Sequence, residues 1–374
     1  MKIGITCYPT YGGSGALATE LGLELAVRGH EVHFISYAMP FRLTEYAERV
    51  YFHEVDTVTG RYPLFDHYPY TLALASKQYE VVQRERLDLL HVHYAIPHAT
   101  TAWIAKEMLQ GTRQLPIITT LHGTDITLVG QEASFHPITK FSIERSDRVT
   151  AVSQFLKDET VRTFGCCEEE IQVIPNFVNL TEYHPDRAAC RDGLAPAGHR
   201  VICHASNFRE VKRTRDVVRV FSRIRRAVPA TLIMIGDGPD RVDAEREARD
   251  LGVETDVRFL GRLTNVIELL QASDLFVLPS QTESFGLAAL EAMACGVPVI
   301  GSRTGGLPEV VADGVSGILE YPGSVEAMAR RAVNLLRDEK AHLAMRDAAV
   351  ARAADFSAEL IVPQYEALYQ HALS

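Results

Sequence analysis

Glu283 and Glu291 are separated by seven residues, Ser284-Phe285-Gly286-Leu287-Ala288-Ala289-Leu290. The run from Leu287 to Ala294 is rich in Leu, Ala and Met and is closed by Cys295-Gly296. It reads as a helix, with Glu283 in the loop before it and Glu291 on its second turn. A carboxylate flanked by Leu290 and Met293 is costly to bury without partners. Ribose hydroxyls would supply them, and the free N–H groups near Ser284, Phe285, Gly286 and Leu287 would hold a phosphate. Arg209 and Lys212, three residues apart at a helix start, offer a planar fork and a point charge that could reach one diphosphate. The neighbouring Arg213 and Arg215 favour a solvated helix face instead, and spacing alone tips slightly that way.

His122 stands in Thr119-Thr120-Leu121-His122-Gly123-Thr124-Asp125, a polar cluster closing an apolar run. A lone histidine is more often structural; the adjacent glycine and threonines favour function. His91 and His93 fall on the same side of a strand but lack a nearby carboxylate to complete a metal site. Hydrogen-bonded strand-end histidines are the favoured reading, with His93-Tyr94 at the strand's carboxyl end still able to face the cleft. Gly12-Gly13-Ser14-Gly15, between a strand and a helix, is either a tight turn or an anion cradle, at even odds. It meets the dinucleotide fingerprint only in relaxed form, through Gly13, Gly15 and Ala18.

The elements that position these residues alternate. Segments 3–7, 31–36, 87–93, 116–121 and 148–153 read as strands, separated by helical patterns. Residues 174–198, with Pro175, Pro185 and Pro196, read as a linker. The pattern restarts with strands at 200–205, 230–235, 257–260, 274–278 and 297–302, and 357–373 is helical. The fold class is therefore α/β: two doubly wound parallel-sheet, Rossmann-like domains, with polar clusters at the carboxyl ends of the strands facing a shared cleft. A length of 374 residues suits two domains. With 47% hydrophobic and 23% charged residues the chain is neither disordered nor collagenous nor a coiled coil. A net charge of −10 gives no overall pull toward nucleic acid or an acidic membrane. The cysteines, including the adjacent Cys166 and Cys167, form no CxxC pair, and neither a signal-peptide pattern nor a membrane-spanning run is present. A reducing cytoplasm is the expected compartment.

Several motifs carry a resemblance. Glu283-x7-Glu291 followed by Ala294-Cys295-Gly296-Val297-Pro298-Val299-Ile300, Asn207-Phe208-Arg209-x-x-Lys212-Arg213, Gly236-Asp237-Gly238-Pro239 and Gly305-Gly306-Leu307-Pro308-Glu309 resemble the retaining glycosyltransferases of family 4. Ile3-Gly4-Ile5-Thr6-Cys7-Tyr8-Pro9, Gly12–Gly15, Pro40-Phe41-Arg42-Leu43, His91-Val92-His93-Tyr94-Ala95-Ile96-Pro97-His98 and Leu121–Thr127 are similar to the branch of that family that glycosylates L-malate on the way to the thiol bacillithiol. Ser134-Phe135-His136-Pro137 and Cys166-Cys167 depart from the pattern.

The resemblance implies a GT-B fold. Residues 1–180 would be the acceptor domain and 198–356 the nucleotide-sugar domain, with helix 357–374 packing back on the first. The donor would be UDP-N-acetylglucosamine and the acceptor L-malate. Glu291 would bind ribose, Arg209 and Lys212 the diphosphate, Glu283 and His122 the sugar, and the backbone near Leu263 the uracil. Ser206, Asn207, Ser284, Phe285, Gly286, Leu287, Gly13 and Gly15 would complete the nucleotide-sugar site. Ser14, with the N–H groups of Gly13 to Gly15, would take one carboxylate of malate. Tyr94, Thr120 and Arg148 would take the other, with Lys140 and Arg42 competing. Transfer would retain configuration by front-face attack, with no metal or other cofactor. A different acceptor, an epimerase on the same fold, or a non-catalytic UDP-sugar-binding protein are the rival readings, and a homo-oligomer stays open.

Overall fold

The computed structural model describes residues 1–56, 69–186 and 191–374; Cys190 lies outside them. The chain forms two compact units, Met1–Pro175 with Glu359–Ser374, and Asn176–Ala358.

The first unit carries seven strands: β1 (Lys2–Thr6), β2 (Glu31–Ser36), β3 (Val50–Glu54), β4 (Leu89–His93), β5 (Ile117–Leu121), β6 (Arg148–Ala151) and β7 (Ile171–Val173). Their order is β3-β2-β1-β4-β5-β6-β7, and every pairing is parallel. The central strands β4 and β5 are buried along their whole length, as a sheet covered on both faces requires. The sequence pattern missed β3 and β7. Both are edge strands; β3 is half exposed and β7 is three residues long, so neither shows a continuous apolar run.

Between β1 and β4 the winding reverses. Helices on either side diverge at such a point and leave a crevice beyond the carboxyl ends of the strands. The loops after β1, β4 and β5 bring Ser14, Tyr94 and His122 to that end. The C-terminal helix Ala358–Leu373 joins this unit through a stripe of Ile361, Val362, Tyr365 and Tyr369, all buried. The Tyr369 hydroxyl meets His91 Nδ1 at 2.7 Å, and His30 Nε2 meets Glu366 at 2.9 Å.

The second unit carries β8 (Arg200–Ala205), β9 (Ala230–Ile235), β10 (Val257–Gly261), β11 (Leu275–Leu278), β12 (Val299–Ser302) and β13 (Gly317–Glu320). Their order is β10-β9-β8-β11-β12-β13, again parallel, so the reversal falls between β8 and β11. Loops after those two strands carry Arg209, Lys212 and Glu283.

The stretch expected to be a linker is, from Asn176 onward, part of the second unit. Phe177, Val178 and Tyr183 are buried in it, Val178 bridges to Ser357, and Arg191 binds Asp274 at 2.9 Å. Its prolines signal irregular backbone. They say nothing against burial of the aromatic and apolar residues between them.

Candidate active site

In the second unit, β8 runs into Ser206-Asn207-Phe208-Arg209 and a 3-10 turn, Glu210–Lys212. His204, buried in β8, donates from Nδ1 to the Val277 carbonyl at 2.8 Å, so its Nε2 accepts from the Ser206 hydroxyl at 2.8 Å. Burial lowers His204 to about 4 and keeps it neutral. The Ser206 hydroxyl also accepts from Phe208 N at 3.4 Å and so pins the loop. The amide oxygen of Asn207 is buried with no partner among the described residues, an acceptor that a bound donor would satisfy.

Lys212 Nζ lies 2.7 Å from Glu283 Oε1, and the Ser280 hydroxyl donates to the same oxygen at 2.7 Å. Glu283 and Glu291 are only 8% and 7% exposed. The main chain around Glu283 is fixed from the β12 side: Gly306 N donates to its carbonyl at 2.8 Å. Gly305, at φ +58°, sits so close that a Cβ there would lie 1.9 Å from that oxygen, so only glycine fits. Gln281 N donates to the Val211 carbonyl at 2.7 Å and ties the β8 and β11 loops together. Gly286 then starts the helix Leu287–Ala294, and Phe285 is held against Phe356 with ring centroids 5.6 Å apart.

This geometry resolves the four nearby cations. Arg213 binds Asp216 and Gln281, and Arg215 binds Glu247, so these two form the solvated helix face. Lys212 turns inward to Glu283. Arg209 is exposed, with its guanidinium free of partners among the described residues. Leu263, half-buried, follows edge strand β10, two strands from β8.

In the first unit, Gly15 packs where a Cβ would lie 2.7 Å from the Tyr8 carbonyl, and this close approach folds the loop that presents Gly13 and Ser14. The Tyr94 hydroxyl donates to Ser14 Oγ at 2.8 Å. The Tyr94 ring lies 5.2 Å from that of His122, and His122 Nε2 meets His93 Nδ1 at 2.8 Å. Ser14, Tyr94 and His122 are therefore one cluster. Burial pushes the Tyr94 hydroxyl up to about 12 and His122 down to about 3, so both are neutral at neutral pH.

Asp125, which the sequence left without a role, joins the two loops. Its Oδ2 accepts from Ala95 N at 2.8 Å and its Oδ1 from Gly123 N at 3.1 Å. Burial, opposed by these N–H groups, raises its carboxyl to about 6. His93, which the sequence offered with Tyr94 at the carboxyl end of its strand, belongs to the cluster, and so does His98, the last residue of the same motif; His98 Nδ1 donates to the His93 carbonyl at 2.5 Å.

Of the expected acceptor residues, Thr120 adjoins the cluster, its carbonyl accepting from Tyr94 N at 2.9 Å, but its side chain is used internally, and Arg148 stands apart. Thr120 is fully buried, its hydroxyl engaged by His91 Nε2 and Thr150 Oγ1, each at 2.7 Å. Arg148 is the first residue of β6, and its guanidinium binds the Asp147 carbonyl at 2.7 Å. A residue that opens a parallel strand lies at the amino edge of the sheet. At about 3.3 Å per residue, a four-residue strand puts it roughly 10 Å from the end where Tyr94 and His122 gather. Of its competitors, Lys140 pairs with Glu144 at 3.7 Å on an exposed helix face. Arg42 lies in the loop after β2, at the carboxyl end, 3.3 Å from Glu20, and adjacent Phe41 packs on Tyr11 just before Ser14.

No helix among the described residues is long and apolar enough to cross a membrane. Nor do the described residues place three or more His, Cys, Asp or Glu side chains as a set that could hold a metal ion.

The chain is similar to known proteins along its length. Residues 11–182 match the family described as Glycosyltransferase Family 4, and residues 188–352 match Glycosyl transferases group 1. The chain is 48% identical to N-acetyl-alpha-D-glucosaminyl L-malate synthase of Bacillus anthracis, over 100% of this chain and 97% of that one. It is 29% identical to D-inositol 3-phosphate glycosyltransferase of Nocardia farcinica, over 95% and 85%. Among solved structures, Anabaena HepE in complex with UDP and glucose superposes with a TM-score of 0.83 at 22% identity, covering 99% of both chains. With its two doubly wound domains and the Lys212–Glu283 site, the chain belongs to glycosyltransferase family 4 and has the GT-B fold.

Proposed function

We propose that the enzyme transfers N-acetylglucosamine from UDP-N-acetylglucosamine to the hydroxyl of L-malate with retention, the first step toward bacillithiol. The observation that carries this reading is the full-length similarity to the malate synthase of Bacillus anthracis. The first-unit cluster supports it, because it offers neutral donors suited to a carboxylate. Tyr94 donates to Ser14, which leaves the Ser14 hydroxyl hydrogen for a ligand. The Gly13 to Gly15 amides open the helix Gly13–Val27 beside it. Arg42 replaces Arg148 as the cation for the second carboxylate, because it stands at the correct end of the sheet.

In the second unit, Glu291 accepts from the ribose hydroxyls, Glu283 from the sugar, and the Leu263 backbone meets the uracil. The malate oxygen attacks the anomeric carbon on the face from which the diphosphate departs. The bond to the diphosphate breaks with its electron pair on the phosphate oxygen, and the malate hydroxyl proton passes to a diphosphate oxygen. UDP and the α-glycoside are the products. Arg209 and Lys212 stabilise the charge that builds on the leaving group, which is worth most where water is scarce. We propose that these two cations take the place of a metal ion. We place the reaction in the cytoplasm, in keeping with five free thiols among the described residues, Cys7, Cys166, Cys167, Cys203 and Cys295.

Mass spectrometry of products formed from UDP-N-acetylglucosamine and a panel of hydroxy acids, in excess chelator, tests this. The expected product is N-acetylglucosaminyl malate with an α-linkage by NMR. Transfer only to another acceptor, a β-linkage, or strict dependence on added divalent ion would each overturn the corresponding part.

A further inference from the structure

Four histidines crowd the carboxyl ends of β4 and β5. Ring centroids of His91 and His93 are 4.5 Å apart, and those of His93 and His122 are 5.1 Å apart and stacked. His91 uses both nitrogens, on Tyr369 and Thr120. His98 donates from Nδ1 to a carbonyl, so its Nε2 is a bare lone pair, and that Nε2 is buried without a partner. His93 Nε2 is also buried without a partner.

The His93–His122 contact needs one N–H between two nitrogens 2.8 Å apart. Either ring could supply it. If His122 Nε2–H donated, His93 would carry its own hydrogen on Nε2, an N–H sealed in the interior with nothing to accept it. Orphaned buried N–H groups are rare, and under-satisfied acceptors are less so. If His93 Nδ1–H donates, both orphan nitrogens of the cluster are lone pairs and every buried N–H on these four rings has a partner. His122, half-buried, then carries its hydrogen on Nδ1, which has no partner among the described residues.

We propose that His93 is a positioning residue that fixes the tautomer of His122, so that His122 presents an Nδ1–H donor, and never a base, to the bound sugar or acceptor. The proposal rests on the placement of His122 in the site described above. It gives His93 a role that its position inside the sheet does not suggest. It also agrees with the malate proton leaving through the diphosphate, since the nitrogen presented to the ligand already carries hydrogen and the other nitrogen of His122 is occupied by His93. The surrounding groups leave this state unchanged across neutral pH. Burial holds His91, His93 and His98 well below 6.5 and Tyr94 and Tyr8 up near 12, and Asp125 sits near 6.

Nitrogen-15 NMR of histidine-labelled protein between pH 7 and 8.5, with the His122 signal identified by its loss in His122→Asn, tests the assignment directly. Nδ1 of His122 should be protonated and Nε2 bare. His93→Asn retains an N–H donor near the same point and should keep both the tautomer and turnover within about threefold. His93→Leu should release the tautomer and lower kcat about ten- to a hundredfold, with UDP affinity unchanged. Trp103 fluorescence reports whether the first unit of each variant is folded. A hydrogen on His122 Nε2 in the wild type overturns the proposal, as does full turnover by His93→Leu. If the tautomer is as stated but malate is not glycosylated, the acceptor reading fails and the role of His93 stands.

Discussion

Replacing Asp125 by Asn should stabilise the first unit at neutral pH while impairing catalysis. Asp125 is 2% exposed and accepts backbone N–H groups from both active-site loops, through Ala95 and Gly123. Desolvation nevertheless outweighs those bonds and lifts the carboxyl from 3.8 to about 6. A carboxyl whose folded value is raised binds its proton more tightly in the folded than in the unfolded state. Its contribution to stability is therefore fully present below pH 4 and is lost as the pH rises through 6. Two pKa units correspond to about 3 kcal/mol, at about 1.4 kcal/mol per pH unit. Asn has the shape and neutrality of the protonated acid. Wild type and Asp125→Asn should match near pH 4, and the variant should be more stable by up to about 3 kcal/mol at pH 7. Its amide nitrogen faces a backbone N–H, however, which loosens the tie between the Tyr94 and His122 loops and should lower turnover. Urea unfolding followed by Trp103, the chain's single tryptophan and part of the first unit, gives the difference from pH 4 to 7.5. A variant that is destabilised at pH 7, with the gap widening as pH rises, would show that the N–H bonds dominate, and the reasoning would fail.

Lys212→Met leaves Glu283 buried with Ser280 as its one remaining side-chain hydrogen-bond partner among the described residues; about 3 kcal/mol of second-unit stability should go, by analogy with a broken buried pair, along with most turnover. Unchanged unfolding would show that the pair is dispensable. Glu291→Ala should weaken UDP binding by roughly 10- to 150-fold in calorimetry, from loss of charge-assisted hydrogen bonds of about 1.5–3 kcal/mol; normal UDP affinity would remove its ribose role. L-malate should be preferred over lactate or glycerate by orders of magnitude, because a pocket built for two carboxylates leaves donors unpaired with one. Arg42→Ala should raise the KM for malate and Arg148→Ala should not; the reverse result would restore Arg148 to the site.

Much of the fold was legible along the chain. Strands buried on both faces, such as β4 and β5, must be continuous apolar runs, and helices between them must be periodic. The two βα arrays therefore showed in one dimension. The Glu283-x7-Glu291 spacing likewise displayed a loop carboxylate and a helix carboxylate, since both depend on local structure. Edge strands β3, β7 and β13 escaped because a partly solvated strand, or one of only three or four residues, needs no such run.

Tertiary structure decided which of these residues meet. Lys212 and Glu283 are 71 positions apart, Tyr94 and Ser14 are 80 apart, and His91 and Tyr369 are 278 apart; nothing in local periodicity relates such pairs. It moved Arg148 to the far edge of the sheet and buried Thr120 in a hydroxyl–imidazole network. It also folded 176–186 into the second unit, and it gave Asp125 and His93 their roles. The reason is physical. Backbone preference and hydrophobic period act over a few residues and are written in the sequence order. Which end of a strand faces a ligand, and which N–H a buried nitrogen finds, depends on the winding of the sheet and on close packing between segments far apart in the chain.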